Sequence, residues 1–387
     1  MRSGSMAQRG RRVENQRKTE LKKGCYDFSL LFLVLFLVCF GLVMIYSTSY
    51  YSATMHKHDS MYYMKRQGLL AGAGIVAMIV VSNADYRFLL KKIPKLNISW
   101  VFLGYLLAIL LQVYVLVFGK AINGAKRWIG LGPLGTFQPS DFSKIMVILL
   151  IAYMVYKKPR GLDHVKGFMR IAIYVGILLV LIGIENMSTA IVIAIILFAM
   201  SVVASRKKFY FFVMGLLAAG GAALFIIFGE GFRLNRIQIW LNVENHEDGM
   251  QILQGLYAIA SGGFFGKGLG QSMQKLGYVP EAQNDMIFSI ICEELGIFGA
   301  TCIIVTFMMV LWRIFQIAIN SPDLFGGMIC TGVMIHIASQ VALNIAVVTN
   351  TIPSTGVALP FISYGGTSVA MMLIEIGLVL SVSKRIN

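Results

Sequence analysis

Charge is scarce in this chain. Only 13% of its 387 residues are Asp, Glu, Lys or Arg, about half the share usual in a soluble domain. With 57% hydrophobic residues and a mean hydropathy of +0.73, the chain has too little polar surface to cover a soluble globule, and that class is excluded. Cysteine is scarce too: of five, Cys39, Cys292, Cys302 and Cys330 fall inside apolar runs and Cys25 just before the first. No pair has metal-ligand spacing, so they are small apolar packing residues. The five histidines are scattered and form no HExxH set, which argues against a structural metal. No GxxxxGK loop is present, so a nucleotide cofactor is not expected. No internal repeat is visible.

What the chain has instead is long apolar runs. A spanning helix needs about 20 mostly apolar residues. Such stretches lie near 28–47, 68–83, 98–118, 142–156, 171–187, 189–204, 209–228, 286–312, 325–346 and 367–383. The expected fold is therefore an all-α integral membrane protein of about ten transmembrane helices. Residues 1–27 form a basic cytoplasmic tail and 28–387 the membrane domain. No small-residue cleavage site follows the first run, which reads as a retained span.

The net charge of +16 points first to nucleic acid, but its placement argues for a membrane. Eight Lys or Arg lie in residues 1–27, and most of the others sit in short loops between apolar runs. Taking the fifth and sixth runs as a hairpin puts 23 Lys/Arg on one side and ten on the other. The positive-inside rule then places both termini on the cytoplasmic side of the membrane. The outer connections become 48–67, 119–141, 229–285 (between spans seven and eight) and 347–366. They are richer in Gly, Pro, aromatics and paired charges than the inner loops, so chemistry is expected outside.

Two outer segments carry candidate residues. In 119–144, Lys126 and Arg127 flank Trp128, and Pro139, Ser140 and Asp141 read as a helix start. Backbone donors with nearby cations suit a phosphate; an interfacial Trp/Lys/Arg anchor is the plain alternative. Lys144 lies one turn into a span, with Asp141 its partner at i−3. In 229–285, Arg233 and Arg236 share a helical face. Gln251, Gln254 and the run SGGFFGKGLG at 261–270 follow, then Lys275, Glu281 and Asp285. A helix would set Glu281 and Asp285 on one face. Asp285 is either a helix cap or a general base. Burial would raise its pKa and nearby cations would lower it. Glu185, Glu293, Glu294 and Glu375 lie in or near spans, where acids either serve transport or pair for packing.

These residues bring a family into view. NGAKRWIGLGPLGTFQPSDFSK, GLVMIYSTS at 41–49, GLGQSMQKLGYVPEAQNDMIFSIICEELGIFG at 268–299 and TIPSTGVALPFISYGGTS at 351–368 resemble signatures of the SEDS family (shape, elongation, division and sporulation), of FtsW and RodA type. The resemblance runs from about residue 28 to the C-terminus, in the family's order, and looks more FtsW-like than RodA-like. It departs in two places. Where the family commonly has His-Thr-Asp-Phe, this chain has Gln283, Asn284, Asp285 and Met286, keeping the acid and losing the His. Where the family has Pro-Asp-Leu-Gly-Thr, it has Glu185 to Thr189, with Glu185 a candidate substitute for the aspartate.

The resemblance implies an inverting, lipid-linked glycosyltransferase that polymerises lipid II (undecaprenyl-diphosphate disaccharide-pentapeptide) on the outer membrane face, for septal cell-wall synthesis in division. It makes Asp285 the catalytic base. Lys126, Arg127, Lys144, Arg233, Arg236, Gln254, Lys275 and Glu281 are the substrate-binding candidates. Mg²⁺ or another divalent cation on Asp285 and Glu281 is an expectation from the chemistry. The implied partners are a class B penicillin-binding protein and the division or elongation machinery, with the contact expected at Met308, Met309, Leu311 and Met328. Nucleic acid is not a partner. A lipid II flippase and a scaffold that activates a penicillin-binding protein are the alternatives.

Overall fold

The computed structural model describes residues 26–94, 97–122, 125–130, 136–211, 213–215, 238–245 and 249–386. Apolar helices α1 (Phe28–Lys57), α2 (Tyr62–Asn83) and α3 (Trp100–Phe118) come first. A small antiparallel sheet follows, ordered β1 (Lys120–Ile122), β2 (Ala125–Gly130), β3 (Thr136–Phe137). Then come α4 (Pro139–Lys157), α5 (Val165–Glu185), α6 (Met187–Ala204), the short α7 (Met250–Ser261), α8 (Ile287–Ile319), α9 (Leu324–Val348) and α10 (Thr367–Ser383). Among the described residues eight helices, α1–α6, α8 and α9, are long and apolar enough to cross a bilayer, and the 17-residue α10 is also apolar. The chain is a multi-pass, all-α membrane protein. The expected seventh span, 209–228, lies mostly outside the described residues, as do Arg233, Arg236 and the tail up to Cys25.

The fifth and sixth runs form a hairpin, as charge placement argued. Asn186 leaves the helical region (φ −143°, ψ 82°), and its side chain accepts a bond from Thr189 N at 3.1 Å. One end of the bundle gathers the basic loops. Asp323 binds Tyr86 and Arg87, Arg385 reaches Asp85, Arg313 pairs with Asp27, and Asp163 accepts from Ser205 and Arg206 N. The alternate helix ends meet at the opposite end. α6 finishes among the basic loops, and α8 starts at the other end.

Three of the segments expected outside differ in structure from expectation. First, α1 has 30 residues, about 45 Å of helix against a hydrocarbon core of about 30 Å. Most of the expected loop 48–67 is thus helix, with a turn at 58–61. Second, 119–141 holds the small sheet. Third, 347–366 is not a surface loop throughout: Val357, Leu359, Phe361, Ile362 and Ser363 are buried. Gln67 donates to Ser363 O, and Leu359 N to Ser363 Oγ at 2.8 Å. Irregular backbone is tolerated at such depth because protein, not lipid, satisfies it.

α2 and α10 pack closest where Gly74 and Gly377 lie. A Cβ on either would come within 2.8 Å of the facing helix, at Ala370 Cα and Met78 O, which is the use small residues have between membrane helices. α8 is broken at Gly296 (φ 68°, ψ −171°), a conformation that favours glycine. The glycine-rich run fills the break. Lys267 N and Gly268 N donate to the carbonyls of Glu293 and Glu294 at 2.9 Å, and Ile297 N and Phe298 N donate to those of Gly263 and Phe264 at 3.0 Å. The glycines let the backbones touch: a Cβ on Gly266 would lie 2.2 Å from Glu294 O.

Candidate active site

At the end opposite the basic loops lies an open cavity of about 960 Å³. Its walls are the last turns of α1, the first turns of α2, α4 and α6, strand β2, the segment before α8, Gln340 of α9 and the 356–368 segment. Asp285 stands at the mouth of α8, half-buried in this wall.

Asp285 does not cap α8: the cap position is Met286, and no side chain satisfies it. The expected helix through Glu281 is also absent. Residues 280–286 are turn, and Glu281 has φ 48°, so the four-residue spacing has no helical meaning here. Both acids nonetheless line the cavity.

Stitches from other elements hold the backbone around Asp285 in place. Asn344, buried on α9, donates its amide to Asp285 O at 2.7 Å and to Val357 O at 2.8 Å. Tyr364 N donates to Gln283 O at 2.8 Å. Gly356 passes close by, and a Cβ there would sit 3.7 Å from Asp285 Oδ2. Burial pushes the Asp285 carboxyl above its ordinary value, its own and the Met286 backbone N–H oppose this, and the Glu281 charge adds to the rise. No ion pair to Asp285 occurs among the described residues. In the contest between burial and cations, burial wins.

The expected cations divide. Arg127 and Lys144 line the cavity. Arg127 Nε donates to Glu185 O, and Lys126 N to Glu185 Oε2 at 2.9 Å, so Glu185 pins β2 to the α5–α6 turn. The exposed Lys126 does not line the cavity. Lys144 pairs with Asp141 at 2.9 Å, both nearly buried, as the spacing implied. Lys275 reaches the wall, but its ammonium is bonded to Glu294 at 2.8 Å and Ser47 at 3.1 Å. Gln254 lies on α7 with its amide toward Met250 Sδ, away from the cavity. Missed altogether were Arg66, Tyr62, Tyr63 and Tyr364, which line the wall opened by α2, and Asn344. The YYMKR run at 62–66 carried the signal, a cation amid aromatics in a segment expected outside.

The acids in the spans are all bonded. Glu293 accepts from Lys267 at 2.7 Å and from Ser272, Glu294 from Lys275, and Glu375 lies 2.7 Å from His336 Nδ1. The pairing alternative holds for each. Among the described residues, no group of three His, Cys, Asp or Glu could hold a metal. Two carboxylates facing one cavity do suit Mg²⁺, which keeps several waters and takes one or two carboxylates alongside substrate phosphates.

On α8 the exposed face is Met308, Met309, Trp312 and Phe315. Met328, expected in the partner contact, is buried at 3% exposure and is core.

A family model described as "Cell cycle protein", of FtsW, RodA and SpoVE, matches residues 28–387. Stage V sporulation protein E of Bacillus subtilis is 37% identical over 94% of this chain and 98% of its own length. The probable peptidoglycan glycosyltransferase FtsW of Trichlorobacter lovleyi is 36% identical over 94% of each chain. Among solved structures, a chain from work described as "Structural coordination of polymerization and crosslinking by a peptidoglycan synthase complex" superposes with a TM-score of 0.77. It is 25% identical over 94% of this chain and 98% of its own. The rod shape determining protein RodA of Thermus thermophilus superposes at 0.68, also 25% identical, over 94% of this chain and 98% of its own.

Proposed function

The chain belongs to the FtsW, RodA and SpoVE family of cell cycle proteins, and from that premise we propose that it is a peptidoglycan glycosyltransferase polymerising lipid II into β-1,4-linked glycan strands. The observation that carries the reading is Asp285: a carboxylate with a raised pKa, on backbone held by Asn344, in an open cavity whose other walls supply cations. A raised pKa makes a carboxylate a better proton acceptor near neutral pH, and perturbed groups in clefts mark functional sites.

In the reaction, Asp285 takes the proton from the 4-hydroxyl of an acceptor GlcNAc. The oxygen attacks C1 of the donor MurNAc from the face opposite the diphosphate. The C1–O bond to the diphosphate breaks, and undecaprenyl diphosphate leaves with the electron pair. Arg127, Lys144 and the first-turn N–H groups of α4 face the developing charge, and such preorganised donors are worth most where charge grows. A divalent cation such as Mg²⁺ would be held by Asp285 and Glu281, and when bound would supply further charge neutralisation to the diphosphate.

The outer-face location rests on the cavity lying at the end opposite the basic loops. The partner reading, a class B penicillin-binding protein, rests on the synthase-complex relative and on the exposed apolar face of α8. Relatives named FtsW at 36% identity support the septal reading, with a sporulation protein at 37% beside them. A flippase loses its main support, because each acid in the spans has a bonded partner.

The test is polymerisation of purified lipid II in detergent, where leaflets do not exist. The wild-type protein is expected to make glycan and Asp285→Asn to make none. Near-normal turnover by Asp285→Asn would overturn the base assignment.

A further inference from the structure

One buried titratable pair has no place in the reaction. His336 stands halfway along α9 and Glu375 halfway along α10. The imidazole Nδ1 lies 2.7 Å from Glu375 Oε2, and both side chains are 1% exposed. Ionisable groups at this depth in a membrane are costly singly and are kept in pairs. Stability does not account for the pair, because two well-packed apolar side chains in its place would serve as well or better. What apolar packing lacks is register. It tolerates sliding, whereas a directional bond weakens when one helix slides by even one residue of rise, about 1.5 Å. Fixing a register is the best-attested use of buried polar groups.

The register in question is that of the wall behind Asp285. α10 is held independently of α9. Gly74 and Gly377 seat it against α2, and Thr367 at its start donates to Thr136 O of β3 at 3.4 Å. α9 carries Asn344 about two turns, or 12 Å, nearer the cavity than His336, and its amide bonds Asp285 O and Val357 O. Gln340, between them on α9, lines the cavity. The segment that joins α9 to α10 supplies Gly356 beside the Asp285 carboxylate and Tyr364 N, which bonds Gln283 O.

We propose that His336 and Glu375 are positioning residues for the glycosyl transfer: their bond locks the register of α9 against α10, and so sets where Asn344 and the 349–366 segment hold Asp285. This rests on the glycosyltransferase reading for the reaction it affects; the lock itself does not. Neither residue lines the cavity. Arg127 and Lys144 enter it from β2 and α4, so the lock acts on the base and not on the cations that hold the lipid. Its loss therefore lowers kcat and leaves KM in place.

The test pairs turnover on lipid II with hydrogen–deuterium exchange of the 355–365 backbone, both on purified protein in detergent. His336→Leu with Glu375→Leu removes both polar groups and keeps side chains of similar size. This double variant is expected to unfold at the wild-type temperature or above and to exchange faster at 355–365. Its kcat should fall at least about tenfold with KM unchanged, since misplacing a reacting group by about 1 Å costs on the order of a hundredfold. Glu375→Gln keeps a hydrogen bond to the imidazole and should keep kcat and exchange near wild type. Adding Asn344→Ala to the double variant should lose less than the product of the separate losses, because effects that share a route do not add. Wild-type kcat and exchange in the double variant, a kcat that falls only as the unfolding temperature falls, or losses that multiply with Asn344→Ala would each overturn the lock. An unaffected double variant of a protein that makes glycan removes the lock and leaves the enzyme standing. Faster exchange at 355–365 in a protein that makes no glycan removes the enzyme reading and leaves the register lock.

Discussion

Replacing Lys275 with Met separates a structural cation from a substrate cation. The Lys275 ammonium lies 2.8 Å from Glu294 Oε1 and 3.1 Å from Ser47 Oγ, and the Ser47 hydroxyl lies 2.7 and 2.8 Å from the two Glu294 oxygens. Lysine and glutamate side chains are 7% and 0% exposed, so solvent does not screen the pair. Lys275→Met leaves a carboxylate in the interior with one hydroxyl as donor, and breaking a buried pair from one side costs about 3–5 kcal/mol. Removing both charges is far milder. In Lys275→Met with Glu294→Gln, the amide keeps the glutamate's shape and its bond from Ser47, and stability should return to within about 1.5 kcal/mol of wild type. Denaturant unfolding in detergent measures the first quantity, and turnover on lipid II the second. The structural role predicts that the double variant regains both. A double variant that folds as well as wild type yet turns over no lipid II would refute it and return Lys275 to the substrate set.

Asp285 makes a pH prediction. Its folded pKa is raised, so its ionised form costs stability above that pKa, and the cost disappears as pH falls below the unfolded value of about 3.9. Asp285→Asn should therefore unfold at an equal or higher temperature than wild type at neutral pH; a lower one would contradict the burial cause. Glu281→Gln removes a charge that adds to the rise and should move the acid limb of the pH–rate profile to lower pH, so an unmoved limb would separate the two acids. In a cysteine-free background, Tyr278→Cys should react with an impermeant thiol reagent in intact cells and Lys91→Cys should not. Reversed labelling would place the cavity inside. Turnover should rise when a cognate class B penicillin-binding protein is added, and Met308→Glu on the exposed face of α8 should blunt the rise; a rate indifferent to the partner would sink the coupling.

The spans were legible because a bilayer demands long apolar runs, and the α5–α6 hairpin because Arg206, Lys207 and Lys208 had to lie on the basic side. Asp285 was legible as an acid beside an outer mouth. Its link to Glu281 was not legible, since residues 280–286 are turn and a four-residue spacing sets nothing on one face there. Lys275 shows a second limit. A lysine in an expected outer loop looks solvent-facing, and nothing in the spacing says that Glu294, a residue of an apolar run, lies 2.8 Å from it. Arg66 and Asn344 were missed for a related reason: the expected loop 48–67 continues as helix, and Asn344 sits in an apolar run whose pattern says nothing of the carbonyls it meets.

The break in α8 also bears on how the chain enters the membrane. A helix interrupted at Gly296 presents the carbonyls of Glu293 and Glu294 and the amides of Ile297 and Phe298 without helical partners, at several kcal/mol for each group stranded in lipid. The groups that satisfy them, in residues 263–268, come earlier in the chain. During synthesis the glycine-rich run therefore emerges before the defect it repairs, and α8 can settle against a patch that is already present. Lengthening the connection between residues 268 and 287 should tax this docking step during biogenesis before it alters the finished active site, and the first sign would be loss of protein from the membrane.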